Sequence, residues 1–417
     1  MVYKIRGKKR LKGSVKIQGS KNAALPIMAA SLLAKGCIIL HNCPKILDVY
    51  AMLSILKQLG CQVRWDGNTV MISTDGLFSC KVPEKYASSM RSSIMLLGPL
   101  LGRIGCADIA WPGGCPIGAR PVDIHQMALK KMGVHFEISE KSIFAERKKL
   151  HGIEISLPFP SVGATENIIM AAVLAEGTTM IENAAREPEI ISLCNFLRSM
   201  GAKISNDGKK TLYIEGVHKL EETEFTIPDD RIVMGTYLTA VLGTGGEIFL
   251  EGDCTGELGM LVPLAKETGA IMICNEKGLK VNMKEPFHYP ARIVTAPYPG
   301  FPTDLQSPFL SLFSISGQIC TMEEKIFESR FKTVAELEKM GANIRICGQK
   351  AWVYGKQYLK PACVNASDLR GGAALVLAGL FAEGETQVCE ISHIRRGYQH
   401  IDQDLRQLSA DIEFIQE

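Results

Sequence analysis

One short pattern, an apolar helix closed by a small residue and followed by an extended run, recurs six times along this chain. Its copies read Leu56-Lys57-Gln58-Leu59-Gly60, Lys130-Lys131-Met132-Gly133, Leu197-Arg198-Ser199-Met200-Gly201-Ala202, Ala265-Lys266-Glu267-Thr268-Gly269-Ala270, Leu337-Glu338-Lys339-Met340-Gly341-Ala342 and Leu405-Arg406-Gln407-Leu408-Ser409-Ala410. The period of roughly 70 residues is too long for the common solenoids. In the first copy Val49, Met52, Leu53, Leu56 and Leu59 keep helical spacing, and Gly60 supplies a left-handed stop. A second helix precedes each of these, over 21–35, 90–103, 162–176, 231–244, 304–316 and 369–383. Five of the six end at Gly36, Gly177, Gly245, Gly317 and Gly384. These helices carry Ala, Leu, Met and Ile on more than one face, which predicts burial all round. Strand-like runs such as Val15-Lys16-Ile17, Ile153-Glu154-Ile155 and Ile293-Val294 sit just before them, so the unit reads strand, helix, strand, helix and one or two further strands.

Six such units exceed what one core usually organises, and two globules of three units each are expected. The break is expected near Pro228-Asp229-Asp230. The segment before Lys21 is left over and can pair with either globule. A net charge of +3, spread without basic runs, gives no reason to expect nucleic acid or a membrane surface as partner. The charged start Met1-Val2-Tyr3-Lys4-Ile5-Arg6 does not fit a signal peptide. Thirteen scattered cysteines without a C-x-x-C pair argue against a disulfide framework or a zinc site, and point to a reducing cytoplasm. Most of them are expected to be buried fillers.

The candidate chemistry lies at one place in every repeat. The buried helices open on Lys21, Arg91, Arg231, Asp304 and Arg370, with Ser161 in the third copy. Helix N-termini expose unpaired N–H groups and suit phosphate and carboxylate, so cations gathered there make an anion site. The loop Trp111-Pro112-Gly113-Gly114-Cys115-Pro116-Ile117-Gly118-Ala119-Arg120-Pro121 exposes a cysteine at its tip, either structural or a reactive thiol near Arg120. The run Ala296-Pro297-Tyr298-Pro299-Gly300-Phe301-Pro302-Thr303-Asp304 fixes a carboxylate at a helix start, as a plain N-cap or as a base. Arg395-Arg396-Gly397-Tyr398 puts two guanidiniums in a turn, solvated or clamping a ligand.

Ser20-Lys21-Asn22-Ala23-Ala24-Leu25-Pro26, the Gly113-Gly114-Cys115 loop through Asp123, Glu182-Asn183-Ala184-Ala185-Arg186-Glu187-Pro188-Glu189, Phe301-Pro302-Thr303-Asp304-Leu305-Gln306 and Arg396-Gly397-Tyr398 together resemble the UDP-N-acetylglucosamine 1-carboxyvinyltransferase family, over essentially the whole chain. The resemblance implies two inside-out α/β barrel domains of three repeats each. One spans 21–228 and carries the Cys115 loop. The other spans 229–417 and is completed by segment 1–20, with the substrate cleft between them. It implies transfer of the enolpyruvyl group of phosphoenolpyruvate to UDP-N-acetylglucosamine, a cytoplasmic step towards peptidoglycan that uses no metal and no cofactor. No nucleic acid, membrane or obligate protein partner is implied, and the family is a target of the epoxide fosfomycin.

By the same resemblance Cys115 is the general acid and Asp304 the base. Lys21, Asn22, Arg120, Arg396 and Arg370 hold phosphoenolpyruvate, with Lys21 and Arg396 also assisting catalysis. The sugar nucleotide is lined by Arg91, Arg120, Pro121, Val122, Asp123, Ile124, Ser161, Val162, Gly163, Asp304 and Ile326. The chain departs from the family at Phe159-Pro160, where some members carry Lys-Val, at Arg395 in place of an acidic residue, and at Val233 in place of Glu. Two rivals stand beside this reading: the shikimate-pathway enolpyruvyl transferase, which lacks the cysteine loop, and a silent paralogue that binds the sugar nucleotide as a sensor.

Overall fold

A computed structural model describes residues 1–115, 117–119, 121–208, 210–253, 258–287 and 291–416. The chain forms two compact units. The middle unit comprises 19–114 and 120–228, and the terminal unit comprises 1–18, 115–119 and 229–417. Each holds three buried helices inside and three four-stranded sheets outside, the inside-out α/β arrangement. All six sheets share one plan: the first two strands run parallel and the remaining pairings are antiparallel.

The repeats close on themselves through displaced strands. Glu224–Thr226, at the end of the middle unit, lies parallel to Cys37–His41 and supplies the first strand of the first repeat. Leu11–Lys16 lies parallel to Gly246–Glu251 in the fourth repeat, although its sequence position is just before the first helix. Val2–Arg6 is inserted between Glu385–Cys389 and Asp411–Ile415, pairing Tyr3 with Val388 and Phe414.

The buried helices follow from composition. In Arg231–Thr244 every residue from Ile232 onward is buried, as is all of Leu369–Phe381. Polar side chains inside them bond to their own backbone: Thr236 Oγ1 donates to the Ile232 carbonyl and Thr239 Oγ1 to that of Gly235. Gly243 lets the helices approach, since a Cβ there would stand 2.3 Å from the Phe381 ring. Two of the six helices differ from the sequence pattern. Arg91–Leu96 and Thr303–Leu305 are 3₁₀ turns that pass into the α-helices Leu97–Arg103 and Gln306–Phe313. Pro99 and Pro308 stand in the first turns of those α-helices, where a missing N–H interrupts the bond to the preceding turn. The helices beginning at Lys21, Val162 and Leu369 stop at Ala30, Ala172 and Phe381, short of the apolar pattern. The residues beyond them stay largely buried in turns, so hydrophobicity does not mark the stop.

The second helix of each repeat ends in the left-handed region, at Gly60, Gly133, Gly201, Gly269 and Gly341, and in the sixth copy at Ser409 with φ 68°. Ser409 Oγ donates to the Lys12 carbonyl at 2.8 Å, which offsets the strain of a non-glycine residue there.

The cysteines depart from expectation. Cys274 is disulfide-bonded, which no spacing in the sequence signalled. Among the described residues Cys43, Cys61, Cys194 and Cys320 are buried free thiols, and burial pushes Cys43 and Cys61 up to about 12. Cys347 and Cys363 are exposed, because they sit at strand positions facing away from the core.

A half-buried acid in the terminal unit gives a stability test. Tyr237 Oη donates to Asp404 Oδ2 at 2.5 Å, and burial pushes the Asp404 carboxyl up to about 6, with that bond opposing and Asp402 adding. The native state then binds the proton more tightly than an unfolded carboxyl near 3.9, so stability falls as pH rises between those values, by roughly 3 kcal/mol in all. Asp404→Asn keeps an acceptor for Tyr237 and loses the charge. It is expected to stabilise the protein by about 1–3 kcal/mol at pH 7.5 and by almost nothing at pH 4, read from urea unfolding at the two pH values.

Candidate active site

In the terminal unit the site is built around Asp304. Its carboxylate does not cap a helix. Oδ1 accepts from Arg330 Nη2 at 2.7 Å and Oδ2 from Arg370 Nη2 at 2.9 Å. Both arginine side chains are only 4% exposed, whereas Asp304 is 26% exposed, so the acid faces outward from two buried cations. Arg330 also donates to the Thr303 carbonyl through Nε and Nη2. Burial alone would depress the Arg370 guanidinium, but Asp304, Tyr398 and Asp230 hold it above its ordinary value. Arg370 lies over the Tyr398 ring, and its Nη1 has no hydrogen-bond acceptor among the described residues. Such a buried, unsatisfied donor beside a carboxylate suits a further anionic ligand.

Glu324 organises the approach to Asp304 from behind. Its carboxylate is fully buried and accepts from Thr295 Oγ1, Thr303 Oγ1, Ile326 N and Phe327 N, at 2.8–3.1 Å. That ties the turn preceding Asp304 to the turn that presents Ile326. Neither Arg330 nor Glu324 was singled out by motif. Both sit in the charged run Glu323-Glu324-Lys325-Ile326-Phe327-Glu328-Ser329-Arg330-Phe331-Lys332, where no single charge stands out.

Cys115 belongs to the same unit. Arg396 Nη1 donates to its Sγ at 3.3 Å, Ser329 N donates to the Ile117 carbonyl, and Cys115 packs on the edge of the terminal unit's core. Segment 115–119 therefore groups with 229–417, and the thiol is half-buried rather than at an exposed tip. Of the paired guanidiniums, Arg395 is exposed and Arg396 is turned onto the sulfur. Arg231 lies over the Tyr298 ring.

The middle unit holds a second group. Lys21 pairs with the buried Asp48 at 2.7 Å, directly after Ser20, whose hydroxyl caps the helix by accepting from Ala23 N. Asn22 follows in the same first turn. Arg91 is half-buried, with Nη1 towards the Pro112 carbonyl, and burial lowers its guanidinium. The glycine pair before Cys115 is required by that packing. A Cβ on Gly113 would lie 1.7 Å from the Ser88 carbonyl oxygen, and Gly114 has φ 112° with Arg91 3.1 Å from its would-be Cβ. Asp123 and Ile124 open the helix Asp123–Lys131, after exposed Pro121 and buried Val122. Ser161 caps Val162–Ala172, accepting from Ala164 N, with Val162 and Gly163 in the first turn. Arg120 lies outside the described residues. At the departures, Phe159 is exposed and Val233 is fully buried in its helix, where an apolar residue fits.

Residues 5–405 match the family model described as EPSP synthase (3-phosphoshikimate 1-carboxyvinyltransferase). The chain is 46% identical over 410 residues to UDP-N-acetylglucosamine 1-carboxyvinyltransferase 2 of Caldanaerobacter subterraneus subsp. tengcongensis, covering 98% of each protein. It is 46% identical over 415 residues to the protein of that name from Carboxydothermus hydrogenoformans, covering 99% of each. Among solved structures it resembles the enolpyruvyl transferase NikO from Streptomyces tendae, with TM-score 0.88 at 22% identity over 99% of this chain and 98% of that one. It also resembles the EPSP synthase from Acinetobacter baumannii, with TM-score 0.73 at 17% identity over 99% of each. The structural likenesses carry the fold. With them, the near full-length identity to curated relatives settles the family: the chain belongs to the UDP-N-acetylglucosamine 1-carboxyvinyltransferases, within the enolpyruvyl transferase fold.

Proposed function

We propose that this chain is a cytoplasmic enzyme that transfers the enolpyruvyl group of phosphoenolpyruvate to the 3-hydroxyl of UDP-N-acetylglucosamine and releases phosphate. The observation that carries the reading is 46% identity over 98% of the chain to a relative of that name. The Cys115–Arg396 and Asp304–Arg330–Arg370 groups support it.

In this reading Asp304 accepts the proton of the sugar 3-hydroxyl as its oxygen bonds to C2 of phosphoenolpyruvate. The Cys115 thiol gives its proton to the methylene carbon, forming a methyl-bearing tetrahedral adduct. The Cys115 thiolate takes back a methyl proton as phosphate leaves with the proton held by Asp304, which regenerates the double bond on the sugar and both side chains. Lys21, Asn22, Arg120, Arg370 and Arg396 hold the phosphate and carboxylate. Arg91, Pro121, Val122, Asp123, Ile124, Ser161, Val162, Gly163 and Ile326 hold the sugar nucleotide. In the structure both Asp304 oxygens are engaged by guanidiniums, which compete with a substrate hydroxyl. An incoming carboxylate offers Arg330 and Arg370 a second anion and releases an Asp304 oxygen for proton transfer.

The test is phosphate release from phosphoenolpyruvate with UDP-N-acetylglucosamine, with shikimate 3-phosphate, and with neither. Release with the sugar nucleotide alone is expected. Release only with shikimate 3-phosphate would reassign the acceptor, and no release in any arm would leave the silent paralogue standing.

A further inference from the structure

Three helical elements of the middle unit meet at one buried side chain. Asn167, with no exposed surface, lies on Val162–Ala172. Its Oδ1 accepts from Gly98 N at 2.7 Å, at the junction of Arg91–Leu96 and Leu97–Arg103. Its Nδ2 donates to the Ile94 carbonyl at 3.1 Å and the Gly163 carbonyl at 3.3 Å, and lies 3.0 Å from His125 Nδ1 on Asp123–Lys131. The amide is used on both sides.

The contacts are too close to be incidental. A Cβ on Gly98 would stand 2.5 Å from the Asn167 carbonyl oxygen, and one on Gly163 would stand 3.3 Å from His125 Cε1. Because Oδ1 is committed to Gly98 N, the amide presents N–H to the imidazole. His125 Nδ1 must then be an acceptor, so the ring is neutral with its proton on Nε2. The environment agrees, since burial, then Arg91, lower His125 to about 4 against the pull of Asp123. Of the other charged groups nearby, Glu166 on the Asn167 helix faces Glu187 and Glu189, while His135 and Glu137 on Val134–Ile138 point outward.

The elements joined this way carry Arg91, then Asp123 and Ile124, then Ser161, Val162 and Gly163. We propose that Asn167 and neutral His125 are positioning residues that fix these groups relative to one another, so that capture of the sugar nucleotide depends on the hydrogen-bond polarity of this buried pair. The inference rests on the functional reading above and adds to it two residues and a protonation requirement.

Asn167→Asp reverses the polarity. The aspartate still accepts from Gly98 N, but its second oxygen faces two carbonyls and an imidazole lone pair unless His125 takes a proton on Nδ1. The KM for UDP-N-acetylglucosamine is expected to rise at least tenfold over the wild type at pH 8 and to recover as pH falls to 6. Wild-type KM should stay flat over that range and worsen only towards pH 4.5. The KM for phosphoenolpyruvate and kcat should change less than threefold. A merely structural defect would lower kcat at every pH and would not invert the profile. If the variant does not fold, ¹⁵N NMR of histidine-labelled wild type decides, because a proton on Nδ1 of His125 overturns the proposal and one on Nε2 upholds it. Wild type that fails to turn over UDP-N-acetylglucosamine sinks the functional reading itself. Wild type that turns over, with an Asn167→Asp variant of unchanged or pH-independent KM, sinks this inference alone.

Discussion

Replacing Cys115 by alanine is expected to lower turnover by roughly 100- to 10,000-fold, the usual contribution of a general acid. The Sγ touches Arg396 and the edge of the core, and the residue is only half-buried, so the loss of one sulfur should leave unfolding temperature nearly unchanged. The glycines that shape the loop, Gly113 and Gly114, are untouched. Cys115→Asp is expected to retain part of the activity, because a protonated carboxyl also delivers a proton and the Arg396 donor gains an oxygen partner. That variant should also survive fosfomycin, whereas wild type should be alkylated and inactivated. Full activity in Cys115→Ala, or equal inactivation of wild type and Cys115→Asp, would remove the thiol from the mechanism.

The second large effect is expected at Asp304. Asp304→Asn removes the proton acceptor and should lower kcat by about 100- to 10,000-fold. It should also lower stability, because Arg330 and Arg370 remain buried with their shared anion gone. Breaking a buried ion pair costs roughly 3–5 kcal/mol, and the partial exposure of Asp304 puts the expected loss below that range. Turnover is therefore measured at a temperature where circular dichroism shows the variant folded. Thr303→Val separates the two effects. It deletes the bond to Glu324 but leaves the carboxylate and both arginines, so a loss of kcat with little change in melting temperature would mark placement of Asp304 as the limiting factor. Asp304→Asn with wild-type kcat would exclude it as the base.

The repeat was readable because hydrophobic period and small stop residues are local properties, and all six copies kept both. Lys21, Arg91, Asp304 and Arg370 stood out as charges at the mouths of apolar helices, whereas Arg396, in a turn, stood out only through the family resemblance. What was hidden depends on pairing across long separations. Nothing local to Leu11–Lys16 says that its parallel partner is Gly246–Glu251. Arg330 and Glu324 act through Asp304 and Thr303 and have no motif of their own. Asn167 reads as one polar residue in a buried helix, and only the arrangement of Gly98, Ile94 and His125 around it gives it a use.

The insertion of Val2–Arg6 between Glu385–Cys389 and Asp411–Ile415 sets a timetable for synthesis. On a ribosome making roughly 5–20 residues per second, the first strand emerges about 20–80 seconds before its last partner. The middle unit waits less, because Cys37–His41 meets Glu224–Thr226 roughly 10–40 seconds after it is made. Meanwhile Tyr3 and Ile5, both buried in the finished protein, are held in an unpaired strand with open edges. Chaperone binding to nascent chains should therefore concentrate on Val2–Arg6 and persist until Asp411–Ile415 has emerged, whereas Leu11–Lys16 has its partner once Gly246–Glu251 is made. A transcript truncated after codon 380 would release a folded middle unit joined to an incomplete terminal unit, with Val2–Arg6 lacking both of its partners.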